Sequence, residues 1–170
     1  MSESVEDRSY SGLFGAFPYA FRSSRSRLFR LYVFVGGFLA FAVGALFSLA
    51  LVVLLGGTSG AGAGTFTFVR SLFIVVGLFA VAPLVAPVLF VARHHRHGTD
   101  DVRYDRWFAL SGFLFICSLY LGAVITTPPD QQAANAGVLA DVLYALPRPL
   151  GVVPPLAVAT GMYLLHRRLR

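Results

Sequence analysis

The sequence predicts an all-α integral membrane protein, a bundle of four transmembrane helices with a short interfacial helix before span 1 and another before span 4. Three observations carry this. Hydrophobic residues make up 56% of the 170 residues and charged residues only 13%, against about 45–50% and about 25% in soluble domains. Mean hydropathy is +0.71, which excludes intrinsic disorder. The apolar residues gather into four long runs, and the arginines gather at one side of them.

The N-terminal segment, residues 1–30, is basic and aromatic. Leu13, Phe14, Phe17 and Phe21 recur at near-helical spacing, while Pro18 and the neighbouring glycines weaken any single helix. Arg22, Arg25, Arg27 and Arg30 follow. Aromatic residues beside such a cluster suit an anionic inner leaflet, and the plainest role of these arginines is to hold the orientation of the first span. The cluster therefore gives no reason to expect nucleic-acid binding.

The single four-span domain occupies residues 31–170. Span 1, residues 31–55, carries no charge and no proline; as a helix it is roughly 37 Å long, enough for a hydrocarbon core of about 30 Å. It is too long for a signal-peptide core of about 7–15 residues. A glycine-rich linker leads to span 2, residues 67–92, with Arg70 one turn inside its start. Span 3, residues 107–127, stops at Pro128 and Pro129, which cannot continue a helix. Residues 133–146 read as a short surface helix, cut by Pro147 and Pro149 from span 4 at residues 150–165. Span 4 is only about 24 Å long.

The loops set an orientation. All 14 basic residues are arginine. Twelve (Arg8, Arg22, Arg25, Arg27, Arg30, Arg93, Arg96, Arg103, Arg106, Arg167, Arg168, Arg170) share one side with six acids, Glu3, Glu6, Asp7, Asp100, Asp101 and Asp105. That side carries a net +6, whereas Arg70 and Arg148 balance Asp130 and Asp141 on the other. The expectation is a cell-membrane protein with both termini cytoplasmic. Arg70 is expected to pair with Asp130 or Asp141 and hold the surface helix against span 2.

Gly36, Ala40, Gly44 and Ser48 place a small residue at every fourth position of span 1. Such a stripe lets helices approach closely, so Gly44→Leu is expected to disrupt folding or assembly. Pro83 and Pro87 in span 2, and Pro154 and Pro155 in span 4, are expected to kink their helices. No ionisable residue falls near the centre of any span, which disfavours a proton relay or ion-coupled carrier. With no histidine inside the spans there is no bis-histidine haem site, and no cofactor is expected.

The loop between spans 2 and 3 holds His94, His95, His97, Asp100, Asp101 and Asp105. These residue types bind divalent metals. Asp100, Asp101 and Asp105 are similar to the Asp-rich magnesium–diphosphate motif of membrane prenyltransferases, although the spacing differs by one residue and no second motif exists. The ordinary reading is a solvated, charge-balanced hairpin whose aspartates cap span 3, so that replacing His94, His95 and His97 with alanine leaves the fold intact. No Ser-His-Asp pairing, Walker loop or zinc-protease motif is visible in the sequence.

In its arginine-without-lysine usage and Val/Ala/Gly-rich spans the chain resembles the small multi-span membrane proteins of halophilic archaea. That resemblance implies a membrane protein and transfers no catalytic residue. Three functional classes stay open. One is a non-catalytic accessory, scaffold or assembly protein, partnered by itself or another membrane protein. The others are a small oligomeric permease or channel with kinked spans 2 and 4, and a membrane enzyme using the His/Asp loop.

Overall fold

The protein is described here from a computed structural model, in which residues 12–57, 63–96, 101–133 and 137–169 are placed. The described residues are all-α. In chain order the helices are α1 (Gly12–Ser23), α2 (Arg27–Gly57), α3 (Ala63–Arg96), α4 (Val102–Ile125), α5 (Val138–Tyr144) and α6 (Val153–Arg168). Short 3-10 turns at Pro129–Gln131 and Arg148–Val152 precede α5 and α6. Four stretches, Arg27–Gly57, Thr67–Arg96, Val102–Ile125 and Arg148–Arg168, are long and apolar enough to cross a membrane.

α1 is one continuous helix despite Pro18, contrary to the expectation from its proline and glycines. Packing outweighs the propensity cost. Ala16 and Ala20 are fully buried in a cluster with Val88, Val91 and Ala92 of α3, while the Pro18 ring faces outward. α1 also runs antiparallel to the start of α2, because Phe17 lies against Gly37 while Phe21 lies beside Arg30.

The core is concentrated toward the arginine-rich end. Every buried residue of α2 falls between Phe29 and Ala40. In α3 the largest buried residues are Leu84, Pro87, Val88 and Val91, in its second half. α4 is buried along its whole length, through Tyr104, Asp105, Phe108, Ala109, Gly112, Phe115, Ser118, Gly122 and Ile125. These positions follow a helical period, and they make α4 the central helix, touching α2, α3, α5 and α6.

Two prolines of span 4 sit differently from the expectation. Pro154 and Pro155 occupy the first turn of α6 rather than its interior. The N–H groups there have no partner within the helix, so proline is tolerated without a break. Pro83 and Pro87 do lie inside α3, which continues through both. Tyr32 donates a hydrogen bond of 2.6 Å to the carbonyl of Leu84 beside them.

α5 packs on α4, and among the described residues it makes no contact with α3. Asp130 and Asp141 are both exposed, in the 3-10 turn and in α5.

The small residues of α2 divide. Gly36 is covered by the ring of its own Tyr32, whereas a methyl group at Gly44 would meet nothing nearer than Val81 Cγ2 at 4.0 Å. Gly44 borders an open apolar groove with Phe47, Ser48, Phe73 and Gly77. The close approaches lie at other glycines. A Cβ at Gly112 would collide with the ring of Tyr32, which crosses from α2. Gly112→Ala is expected to cost about 1–3 kcal/mol through overpacking, and Tyr32→Leu should relieve part of that loss in a double-mutant cycle. Gly44→Ala is expected to be neutral or to stabilise by roughly 0.5–1 kcal/mol, the ordinary Gly-to-Ala gain in a helix. Unfolding in mixed detergents measures all three; equal melting of the Gly112 and Gly44 variants would refute the assignment.

Candidate functional site

Ser-Arg-Ser, between α1 and α2, makes a tight corner. Ser26 caps α2: its Oγ accepts the N–H of Phe29 at 3.3 Å, the usual service of a serine at a helix start. The N–H of Ser26 in turn donates to Ser24 Oγ at 3.1 Å, and Arg30 Nε donates to the Ser24 carbonyl at 2.9 Å. Both serines are buried, although they stand in a run of exposed arginines.

Across the bundle, α4 starts five residues earlier than the hydropathy boundary at Trp107. Asp101 caps it by accepting the N–H of Arg103 at 2.8 Å, as a capping aspartate should. Asp105 thereby falls inside the helix, on the stripe that continues through Phe108 and Gly112 toward the core. It is fully buried. His95, in the last turn of α3, is buried opposite it.

These three side chains meet. Ser24 Oγ donates to Asp105 Oδ2 at 2.5 Å. His95 Nε2 lies 2.9 Å from Oδ1 and 3.1 Å from Oδ2 of the same carboxylate. An ionised carboxylate only accepts, so Nε2 is the nitrogen that carries the hydrogen. Beside them, His94 stacks on Tyr104 with ring centroids 4.0 Å apart, and the Tyr104 hydroxyl lies 2.9 Å from His166 Nδ1. His166 stacks on Phe90 at 4.3 Å. One polar cluster thus joins the α1–α2 corner, the end of α3, the start of α4 and the end of α6.

Among the described residues of 94–106, this departs from the reading of a solvated hairpin at His95, Tyr104 and Asp105, which are buried, while Arg96, Asp101, Arg103 and Arg106 are exposed and Asp101 caps span 3 as expected. A carboxylate enclosed at this position is tolerable only when paired and hydrogen-bonded, and Asp105 is both. The buried contact of His95 with Asp105 argues against its being dispensable for the fold. His97 and Asp100 lie outside the described residues. Among the described residues no three His, Cys, Asp or Glu side chains come together in a way that could hold a metal ion. The aspartates of the diphosphate-like motif also diverge, with Asp101 exposed at the cap and Asp105 buried.

Ser24, His95 and Asp105 are the residue types of a hydrolytic triad in another order. The aspartate stands between serine and histidine, so the serine proton is directed to the carboxylate and His95 is not its base. A nucleophile needs the histidine next to the hydroxyl and an approach for substrate. The arrangement here is a crosslink between helices.

The match to known families spans the chain. The chain belongs to the DUF8056 family. The description of that family is a domain of unknown function, and it covers residues 1–170. No curated protein and no solved structure matches the chain. The DUF8056 chain is accordingly a polytopic membrane protein with four candidate spans.

Proposed function

We propose that this DUF8056 protein is a non-catalytic membrane subunit, an accessory or assembly protein that works by binding another membrane protein. One observation carries the reading: the polar side chains gathered at the arginine-rich end are engaged with one another. The Asp105 carboxylate takes Ser24 and His95, and Tyr104 meets His166. Groups that act on a substrate or a transported ion must instead be turned toward it at a defined depth. Fixed internal pairing rigidifies a scaffold and specifies one packing arrangement.

The test uses the full chain in its native membranes. A membrane protein is expected to co-purify in fixed stoichiometry in mild detergent, and its assembled amount is expected to fall when the chain is deleted. Purification as a homo-oligomer that conducts ions or solutes in proteoliposomes would overturn the reading in favour of a permease. Orientation belongs to the same proposal: the net +6 end faces the cytoplasm, with both termini inside. In a Cys117→Ser background, a cysteine introduced at Asp130 is expected to react with an impermeant maleimide from outside, and one at Gly98 only after permeabilisation. Reaction of the Gly98 variant in intact cells would reverse the orientation.

A further inference from the structure

We propose that the cleft between α1 and α2 is a binding site for one anionic phospholipid of the leaflet that meets the arginine-rich end. The cleft is a groove open to the surface, with a volume of about 580 Å³, and is lined by Phe17, Pro18, Phe21, Arg22, Val33, Phe34, Gly37 and Phe38. That volume lies within the range of small-ligand pockets, roughly 300–1,000 Å³.

Its two ends differ chemically. Along α2, Val33, Phe34, Gly37 and Phe38 lie one to two turns inside the span from Arg30, where lipid tails surround the protein. Arg22 is the one charged residue among the eight that line the cleft, and it is exposed on α1 near the corner. Arg30 stands at the same end, with its guanidinium carbon 5.6 Å from the centre of the Phe21 ring. Its Nε is held by the Ser24 carbonyl at 2.9 Å. A guanidinium has five N–H donors, so the Nη groups are those a phosphate oxygen would take. The buried Ser24–Asp105 contact fixes the corner that carries both arginines.

The groove is thus amphiphilic along its length, cationic at the rim and aromatic within. This complements a molecule with an anionic head and an apolar tail. Gly37 supplies the floor: a Cβ there would stand 3.0 Å from Phe17 Cε1, so the bare backbone lets Phe17 rest against α2 without shifting its ring. An extended peptide would bring unpaired backbone polar groups into the apolar half, and nothing lining that half could satisfy them.

The sequence has one tryptophan, so a single fluorescent reporter can be moved. Phe34→Trp in a Trp107→Phe background is reconstituted in vesicles that mix brominated with unbrominated phospholipid. Quenching gives the affinity of phosphatidylglycerol relative to phosphatidylcholine at the cleft. One arginine near an anionic head contributes about fivefold. The ratio is therefore expected to be about fivefold or more, and to fall by about fivefold on adding Arg22→Gln. Leu110→Trp, on the exposed face of α4, reports the general lipid annulus and is expected to give a ratio near one. Equal ratios at the two positions, or an unchanged ratio with Arg22→Gln, would overturn the site. If Phe34→Trp does not fold, native mass spectrometry of the otherwise unaltered chain decides. One phosphatidylglycerol should be retained and then lost in Arg22→Gln, and retention of both lipid types alike would overturn the proposal.

Discussion

Asp105→Ala is expected to destabilise the protein by about 3–5 kcal/mol, the loss typical when one partner of a buried pair is removed. The carboxylate holds Ser24 and His95 at once, so its loss leaves a buried imidazole and a buried hydroxyl without their acceptor. His95→Ala is expected to cost a similar amount by leaving the carboxylate with Ser24 alone. His94→Ala removes a stacking partner of Tyr104 and should cost much less. The decisive comparison is a double replacement of Asp105 and His95 by leucine. Apolar substitution of an entire buried pair is often neutral or stabilising, so the double variant should melt well above either single alanine variant. Unfolding in mixed detergent micelles reads all four. An Asp105→Ala protein that melts with the wild type would show that the cluster holds nothing together.

Gly122→Ala is the second large effect expected. A methyl group at Gly122 would run into the backbone carbonyl of Gly151, and one at Gly151 would stand 2.7 Å from the Gly122 carbonyl and 2.5 Å from Thr126 Cγ2. Backbone meets backbone here, at the point where the 3-10 turn before α6 seats on α4. Side chains can rotate away from an added methyl, but this carbonyl moves only with its helix. The cost should reach the upper part of the roughly 1–3 kcal/mol range for overpacking, or exceed it. It should also loosen α6, read as faster amide exchange in residues 153–168 than in α4. Gly161→Ala serves as the control, since nothing lies within 4 Å of a Cβ there. Equal behaviour of the two variants would refute the contact.

The spans were legible in the sequence because hydropathy is a property of composition within a window. The residues of the polar cluster were not, for a physical reason at each. Hydropathy ends span 3 at Trp107, where the charges begin, yet the helix continues to Val102 because Asp101 caps it. A signal for this did exist. Extending the buried period of Gly122, Ser118, Phe115, Gly112 and Phe108 backward leads to Asp105 and Tyr104. The same extension along Leu84, Val88, Val91 and Ala92 leads to His95. Charge counting treats all loop residues alike and so hides this. Ser24 carried no local signal, since its partner lies 81 residues away, and the small-residue rule identified Gly44 while passing over Gly112. Spacing reveals that a helix has a small face but not which helix will come near it.

The position of Asp105 along the chain has a consequence for biogenesis. Spans leave the ribosome in order, and α2 with α3 can settle in the bilayer as a hairpin before α4 exists. At that stage Ser24 and His95 are both present and neither has its carboxylate. Asp105 arrives at the leading end of the third span and closes the corner to α3; His166, 62 residues beyond Tyr104, adds the last helix afterward. A chain interrupted before α4 therefore displays an imidazole and a serine corner that a completed chain conceals.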